Sequence, residues 1–346
     1  MKLIIQIPCY NEAATLGITL RQLPREIPGV DDVEWLVVDD GSTDDTVAVA
    51  IADGVDHVVR HPQNLGLARA FMTGLSASLE RGADIIVNTD ADNQYDAADI
   101  PRLIEPIVSG RADFTLGIRP INSIQHFSRT KRFLEGFGSR VVQWFSGLDV
   151  ADAPSGFRAY SRNAALRLNV FSRYTYTLET LIQAGQSGLL VETIPIHVNP
   201  ELRESRLVRG PLSYVVRSIH TMVRIFITYR PFATFLVVGS ILVFLAVLFG
   251  VRFLFYYFSG NGSGHVQSLI LAAILSLTGF QLWVLGILAD IISVNRRLLE
   301  DIQYKFREHL TREHNSAGGK VAGVDREQRD NEVSSVLETG RPLDDK

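Results

Sequence analysis

The sequence predicts an α/β body, a mostly parallel sheet with helices on both faces, followed by a two-helix transmembrane hairpin. Three observations carry this. The short apolar runs "KLIIQI", "EWLVVDD" and "ADIIVNTD" alternate with helical patterns over the first hundred residues. Each run leads into a cluster of acidic or polar residues, at "PCYNE", "DDGSTDD" and "DADNQ". Residues 232–258 and 266–294 are almost continuously apolar. Strands alternating with helices argue for a parallel sheet wound on both faces, and in such sheets ligands sit at the carboxyl ends of the strands. All three clusters fall at those ends.

The first strand, "KLIIQI", follows no signal-peptide pattern. It ends near Cys9, the only cysteine, so an internal disulfide and a cysteine-rich zinc site are excluded and packing is its expected role. A helix is expected over "EAATLGITLRQL". In "LVVDDGSTDDT" Gly41 permits a sharp turn, Ser42 or Thr43 can cap the next helix, and Asp44 and Asp45 suit its first turn. Asp39 and Asp40 have no capping role there, so at least one is expected to be functional. Helices follow over "TVAVAIAD" and "LGLARAFMTGLSASLERG". His57 and His61 have metal-like spacing, but "VDHVVRHP" reads as strand and loop, which keeps them off a shared helical face.

The stretch "NTDADNQYD" crowds acids at the end of a buried strand. Clustered carboxylates repel one another unless a cation or a donor-rich partner lies between them. Asp96 and Asp99 fit as caps of the helix begun by "AADIPRLIEPI", which leaves Asp90 and Asp92 for function. The glycine pattern of dinucleotide folds and the P-loop are both absent, which weighs against NAD enzymes and NTPases. With 34 basic and 38 acidic residues the net charge is −4, so nucleic acid is not an expected partner.

Both apolar stretches exceed the ~20 residues that a bilayer core requires. The link "SGNGSGH" has no Lys or Arg, whereas Arg217, Arg224 and Arg230 precede the hairpin and Arg296, Arg297, Lys305 and Arg307 follow it. That asymmetry puts both ends in the cytoplasm. The expected organisation is a body over 1–210, a membrane-surface helix over 211–230, the hairpin over 231–294, and a cytoplasmic helix extension with a disordered tail over 295–346. The tail, from about Thr311, has no aromatic residue. The expectation is an integral membrane protein, of the cell membrane if prokaryotic, with homo-oligomers left open.

"IPCYNEAATL", "VVDDGSTDDT", "NLGLARAFMTGL", "DADNQY" and "DAPSGFRAY" resemble, in order and spacing, the inverting family 2 glycosyltransferases of GT-A fold. With its hairpin the chain is similar to their polyprenyl-phosphate branch, the dolichol-phosphate mannose synthases and bacterial polyisoprenyl-phosphate glucosyltransferases. The resemblance covers about residues 3–310. The Q-x-x-R-W string of the processive polysaccharide synthases is absent. This resemblance implies a nucleotide-sugar donor, a polyprenyl phosphate acceptor, a membrane setting and a divalent metal, Mg²⁺ or Mn²⁺. It places the metal on Asp92 and Gln94, the nucleotide on Pro8, Tyr10, Glu12, Val38, Asp40, Asp90 and Ala91, and the donor sugar near Ser155, Gly156 and Glu179. Asp90 and Ala91 belong to the D-x-D string, and Asn93 is a further candidate beside the metal.

A polyprenyl phosphate brings a nucleophile already ionised at neutral pH, so the difficulty is anion meeting anion, and basic side chains must hold it. The resemblance gives that role to Arg119 and Arg129, and to Arg203, Ser205 and Arg206 in "RESRL". The chain departs from the branch where Pro200 replaces a usual arginine and Arg203 takes a position often held by glycine. Asp152 stands where relatives with hydroxyl acceptors keep a base; with a phosphate acceptor its implied role is placement. Two alternatives stay open at this point: a hydroxyl-bearing lipid or glycan acceptor with Asp152 as base, and a non-catalytic membrane scaffold that keeps the fold.

Overall fold

The computed structural model describes residues 1–120, 143, 146–148, 150, 152–170, 176–200, 231–260 and 262–339. The chain divides into two units. One comprises Met1–Ser123, Pro154–Glu204 and Ile302–Lys346; the other comprises Ile124–Ala153 and Ser205–Asp301.

The first unit is built on seven strands: β1 (Lys2–Cys9), β2 (Asp32–Asp39), β3 (His57–Arg60), β4 (Ile85–Asn88), β5 (Phe114–Ile118), β6 (Arg158–Ser161) and β7 (Val191–Pro195). Their order across the sheet is β3-β2-β1-β4-β6-β5-β7. β1 lies at the centre of the acidic half and pairs in parallel with both β2 and β4. β6 runs antiparallel to both of its neighbours, β4 and β5, and so reverses the sheet direction once. Every residue of β1 from Leu3 to Cys9 is buried, because helices cover both faces of a parallel strand. On one face Leu16 and Leu20 of α1 (Leu16–Gln22) and Leu103 and Ile104 of α4 (Ile100–Val108) join Ile5, Ile7 and Val37 in one core. α2 (Thr46–Ala52), α3 (Leu67–Glu80), α5 (Arg162–Arg167) and α6 (Thr177–Gln186) are the other α-helices among the described residues before Glu204. Cys9 is buried, a packing residue as expected.

Two local expectations need correcting. α1 begins only at Leu16, because the Glu12 carbonyl accepts from the amides of Thr15 and Leu16 in a preceding turn. α2 begins at Thr46, so Asp44 and Asp45 lie before its first turn, and neither Ser42 nor Thr43 caps it. Asp44 accepts instead from the amides of Thr46 and Ala13, closing a side-chain turn that stitches two loops together. Asp96 does cap, accepting from the Ala98 amide at 2.9 Å. Asp99 makes no capping bond and takes the backbone and ring nitrogens of His197 and the guanidinium of Arg102.

In the second unit α7 (Pro231–Phe258) leads through a short turn at Gly262–His265 into α8 (Val266–Thr339), which continues into the first unit. The apolar parts, Pro231–Phe258 and Val266–Asn295, have mean hydropathies of 2.7 and 2.0 with 11% and 17% of their most apolar windows buried. A soluble core helix would hide such surface, so the pair is a candidate membrane hairpin. Gly239 and Gly279 bring the backbones together: a methyl group on either would stand 2.8 Å from the other's carbonyl oxygen. Trp283 closes the seam, its indole donating to the Leu236 carbonyl at 3.3 Å. The tail expected to be disordered is instead helical as far as Thr339; no proline interrupts 311–339. The surface helix expected over 211–230 lies outside the described residues.

Replacing Gly239 by valine forces the two helices apart at their tightest point. The expected cost is about 1–3 kcal/mol, seen as a lower Tm of the detergent-purified protein, with Gly250→Val, at a position with open space, as the unaffected control.

Candidate active site

The site is assembled where β1, β2 and β4 end side by side. After β1 the chain turns through Asn11, whose φ of 56° is left-handed. The Asn11 amide donates to Ser42 Oγ and its side-chain oxygen accepts from the Thr43 amide, both at 2.8 Å. This locks the β1 loop onto the β2 loop, where Gly41 has the positive φ that a sharp turn requires. Glu12 is buried; its amide donates to Thr46 Oγ1 and its carboxylate accepts from Thr15 Oγ1 at 2.9 Å. Pro8 is buried, and Tyr10 is 42% exposed at the rim.

The two aspartates ending β2 have different fates. Asp40 accepts from the amides of Leu65 (2.9 Å) and Gly66 (2.8 Å) and from His61 Nδ1 (2.7 Å), while His61 Nε2 meets Thr73 Oγ1 at 3.0 Å. Both Asp40 oxygens are thereby committed to the loop that starts α3. Asp39 is fully buried; Oδ1 accepts from the Ser42 amide, and Oδ2 lies 3.1 Å from Arg60 Nε as a charge pair without receiving an aligned hydrogen bond. Val38 is a fully buried core residue. The histidines bind carboxylates, His57 to Glu34 and His61 to Asp40.

After β4 come Asp90, Ala91, Asp92 and Gln94. Ala91 is anchored by Thr19 Oγ1, which donates to its carbonyl at 3.1 Å. Asp92 Oδ1 accepts from the Gln94 amide at 3.1 Å, holding the loop in a tight turn around Asn93, whose φ is 59°. Asp90 keeps some exposure as a residue, yet its carboxyl is enclosed, and burial foremost with the Asp92 charge next pushes it up to about 7. Arg119 pulls against that rise, Glu12 adds to it and Arg158 opposes it. Burial, then the charges of Glu12, Asp39 and Asp90, likewise push the Cys9 thiol upward. Glu12, Asp90 and Asp92 therefore form one electrostatic group with Arg119 beside it. No three His, Cys, Asp or Glu side chains among the described residues form a metal cage.

Behind the acids lies a polar scaffold that sequence reasoning missed. Asn88, the last residue of β4, donates to the Gly156 carbonyl (3.0 Å) and the Tyr176 hydroxyl (2.8 Å) and accepts from Gln6 at 2.9 Å. Tyr95 stacks on Phe157 and accepts from the Gly156 amide at 2.8 Å. Arg158 is fully buried and donates to the carbonyls of Ser155 (2.7 Å) and Thr177 (2.8 Å) and to Thr180 Oγ1 (2.6 Å). Asn88 closes β4 and Arg158 opens β6, so each stands at a strand end, where a polar residue draws no notice in the sequence. Gly156 is brought against the acids, for a methyl group there would stand 3.0 Å from Asp90 Oδ2. The buried Ser155 hydroxyl has no hydrogen-bond partner among the described residues.

Glu179 is buried in the first turn of α6, and Asp152 is buried in the second unit. Arg129, Arg203, Ser205 and Arg206 lie outside the described residues.

Acid-ended parallel strands with an antiparallel strand inserted beyond them define a sugar-transferase body of GT-A type. The glycosyl transferase family 2 model matches residues 4–172, and the chain belongs to that family. It is 30% identical over 230 residues to undecaprenyl-phosphate mannosyltransferase from Micrococcus luteus, covering 63% of this chain and 93% of that protein. Polyprenol monophosphomannose synthase from Mycolicibacterium smegmatis is 27% identical over 205 residues, 56% of this chain and 76% of the relative. Among solved structures, glucosyl-3-phosphoglycerate synthase from Mycobacterium tuberculosis, crystallised with Mn²⁺, UDP and glucosyl-3-phosphoglycerate, shares the fold. Its TM-score is 0.51 at 22% identity, over 66% of this chain and 79% of that one.

Arg158→Met removes the buried donors and strands three acceptors. The expected destabilisation is about 2–4 kcal/mol, read as a fall in Tm, with the Asp90 side of the site losing its support from the 155–157 loop.

Proposed function

We propose that this glycosyltransferase moves a hexose from a nucleotide sugar to a polyprenyl phosphate at the cytoplasmic face of a membrane, inverting the anomeric carbon. The observation that carries the reading is a cation-seeking carboxylate cluster in a chain that also holds an outward-facing apolar hairpin. The names of the two bacterial relatives, an undecaprenyl-phosphate mannosyltransferase and a polyprenol monophosphomannose synthase, support the acceptor class.

The donor set fits a divalent cation. Asp92 and Gln94 supply one carboxylate and one carboxamide from a single tight turn, too few for a closed cage and suited to a hard cation that keeps phosphate and water oxygens. When bound, Mg²⁺ or Mn²⁺ supplies Lewis-acid stabilisation of the departing diphosphate. Tyr10 offers its face to the base beside Pro8. Glu12, oriented by Thr15, accepts from ribose hydroxyls, with Asp90 and Ala91 on the same side. The base edge goes to Asp39 in preference to Asp40, because Asp40 has both oxygens hydrogen-bonded to the protein, whereas Asp39 Oδ2 is held only by the Arg60 charge without an aligned hydrogen bond.

The donor sugar lies over Gly156, with Ser155 and Glu179 as its contacts; the unbonded Ser155 hydroxyl suits that role. A phosphate oxygen of the lipid attacks the anomeric carbon as the bond to the diphosphate breaks on the opposite face. No side chain has to remove a proton, since the nucleophile is already an anion. Arg119 offsets the charge, and Arg129, Arg203, Ser205 and Arg206 are assigned to the acceptor by resemblance. Asp152 is assigned to placement.

Purified protein given radiolabelled UDP- and GDP-hexoses with undecaprenyl or dolichyl phosphate is expected to move label into the lipid phase. Chelation should abolish transfer, Mg²⁺ or Mn²⁺ should restore it, and Asp92→Ala should lower kcat/KM by about 100-fold or more. Label entering only soluble or polymeric acceptors refutes the proposal. For the base pocket, Asp39→Asn should raise the donor KM about tenfold, roughly the loss of one charge-assisted hydrogen bond. Asp40→Asn should mainly lower Tm; the opposite split returns the base edge to Asp40.

A further inference from the structure

On the outer face of α3, away from the residues assigned above, lies a cavity of about 350 Å³. One helical face, Arg69, Thr73, Ser76 and Glu80 with Met72 and Ala77, forms one wall at i, i+3, i+4 spacing. Opposite stand Asn169 and, from the continuation of α8, Arg307. Three arginines thus share the cavity with one glutamate, a clear excess of positive charge, and Glu80 is an exposed residue.

Two of the guanidiniums are fixed in place. Arg81 Nη1 donates to the Ala77 carbonyl at 2.8 Å and Arg307 Nη1 to the Leu168 carbonyl at 2.9 Å. α8 is seated there further by Arg167, which lies 4.9 Å over the Tyr304 ring. The loop carrying Asn169 is held in turn by Gln183, whose side-chain oxygen accepts from the Asn169 amide at 2.8 Å. Burial lowers the Arg307 pKa. Thr73, on the same wall, is bonded to His61 and through it to Asp40, so the cavity touches the chain of bonds that fixes the start of α3.

We propose that this cavity is a second binding site, for a phosphorylated ligand gripped by Arg69, Arg81 and Arg307. Guanidinium forks match tetrahedral oxyanions, neutral donors from Asn169 and Ser76 complete the lining, and the volume falls at the low end of the ~300–1,000 Å³ of small-molecule pockets. The site is independent of the acceptor assigned to the active centre. Its phosphate comes from a soluble metabolite or from a lipid headgroup.

The test uses the full-length protein in phosphatidylcholine nanodiscs and follows Tm against inorganic phosphate. Phosphate also stabilises proteins by exclusion from their surface, so the reading is the excess over an Arg69→Gln/Arg81→Gln double variant. Wild type should show a saturable rise, and each single variant should need about tenfold more phosphate for half of it. Stabilisation by UDP or GDP with Mn²⁺ should be unchanged in both single variants, which separates this site from the active centre. If phosphate protects the double variant as strongly as it protects wild type, the proposal is overturned. Nanodiscs containing phosphatidic acid distinguish the source: protection from them alone, lost in the double variant, assigns a lipid headgroup, and protection by phosphate alone assigns a soluble ligand. Protection from neither overturns the site.

Discussion

Repulsion among Glu12, Asp90 and Asp92 is the constraint around which the rest of the body is arranged. Three adjacent strands end together, so their terminal acids are brought close whatever each does alone. The strain is visible at Asp90, whose carboxyl is raised to about 7 by burial and by its acidic neighbours. A fold can tolerate this only if it fixes the acids firmly and leaves a place for positive charge. The β1 and β2 loops are cross-bonded through Asn11, the β4 loop is tied to α1 through Thr19, and the 155–157 loop is carried by Asn88 and Arg158. All of these ties but Arg158 use backbone groups or neutral side chains, which steady the acids without cancelling their charge, and Arg158 offsets part of the charge of Asp90.

The same economy explains why two adjacent aspartates behave differently. Asp40 lies where the chain must turn into α3, and its carboxylate serves the orphan amides that precede a helix. Its charge is spent on structure, with His61 as a further partner. Asp39, one residue earlier on the alternating strand, pairs instead with Arg60 and accepts from the Ser42 amide. An alternation of one residue therefore gives two adjacent carboxylates different partners.

Much of this was legible in the sequence, and the reasons are physical. Apolar runs ending in acids gave the parallel half of the sheet because hydrophobic pattern and strand end are both local properties. Asp96 was legible as a cap for the same reason, being two residues from the amide it caps. The antiparallel β6 was not legible: "RAYS" is short, carries a buried arginine and owes its place to partners more than forty residues away. Asn88 and Arg158 escaped because a buried polar residue is recognised by its partners, which come from distant segments. The identity of the useful aspartate in "VVDD" was open for a similar reason, since only the loop at 65–66 decides which carboxylate is consumed. The extent of α8 was misjudged from composition, which reports the absence of a core more reliably than the absence of a helix.

On the proposed reading, the hairpin and the acids solve halves of one problem. A lipid phosphate and a sugar diphosphate repel each other, and water screens that repulsion only while both remain solvated. Bringing the phosphate to a buried anomeric carbon removes the screening and makes fixed positive charge necessary. Arg119 is one such charge, already close enough to act on Asp90. The acceptor, however, is confined to a bilayer, and a stable anchor keeps the enzyme at that surface in a way no single weak phosphate contact could. Affinity for the lipid tail is then not required of the body, whose polar end can be devoted to charge. The hairpin meets its own requirement with small residues, Gly239 against Gly279, so that packing within the anchor needs none of the polar groups the active centre depends on.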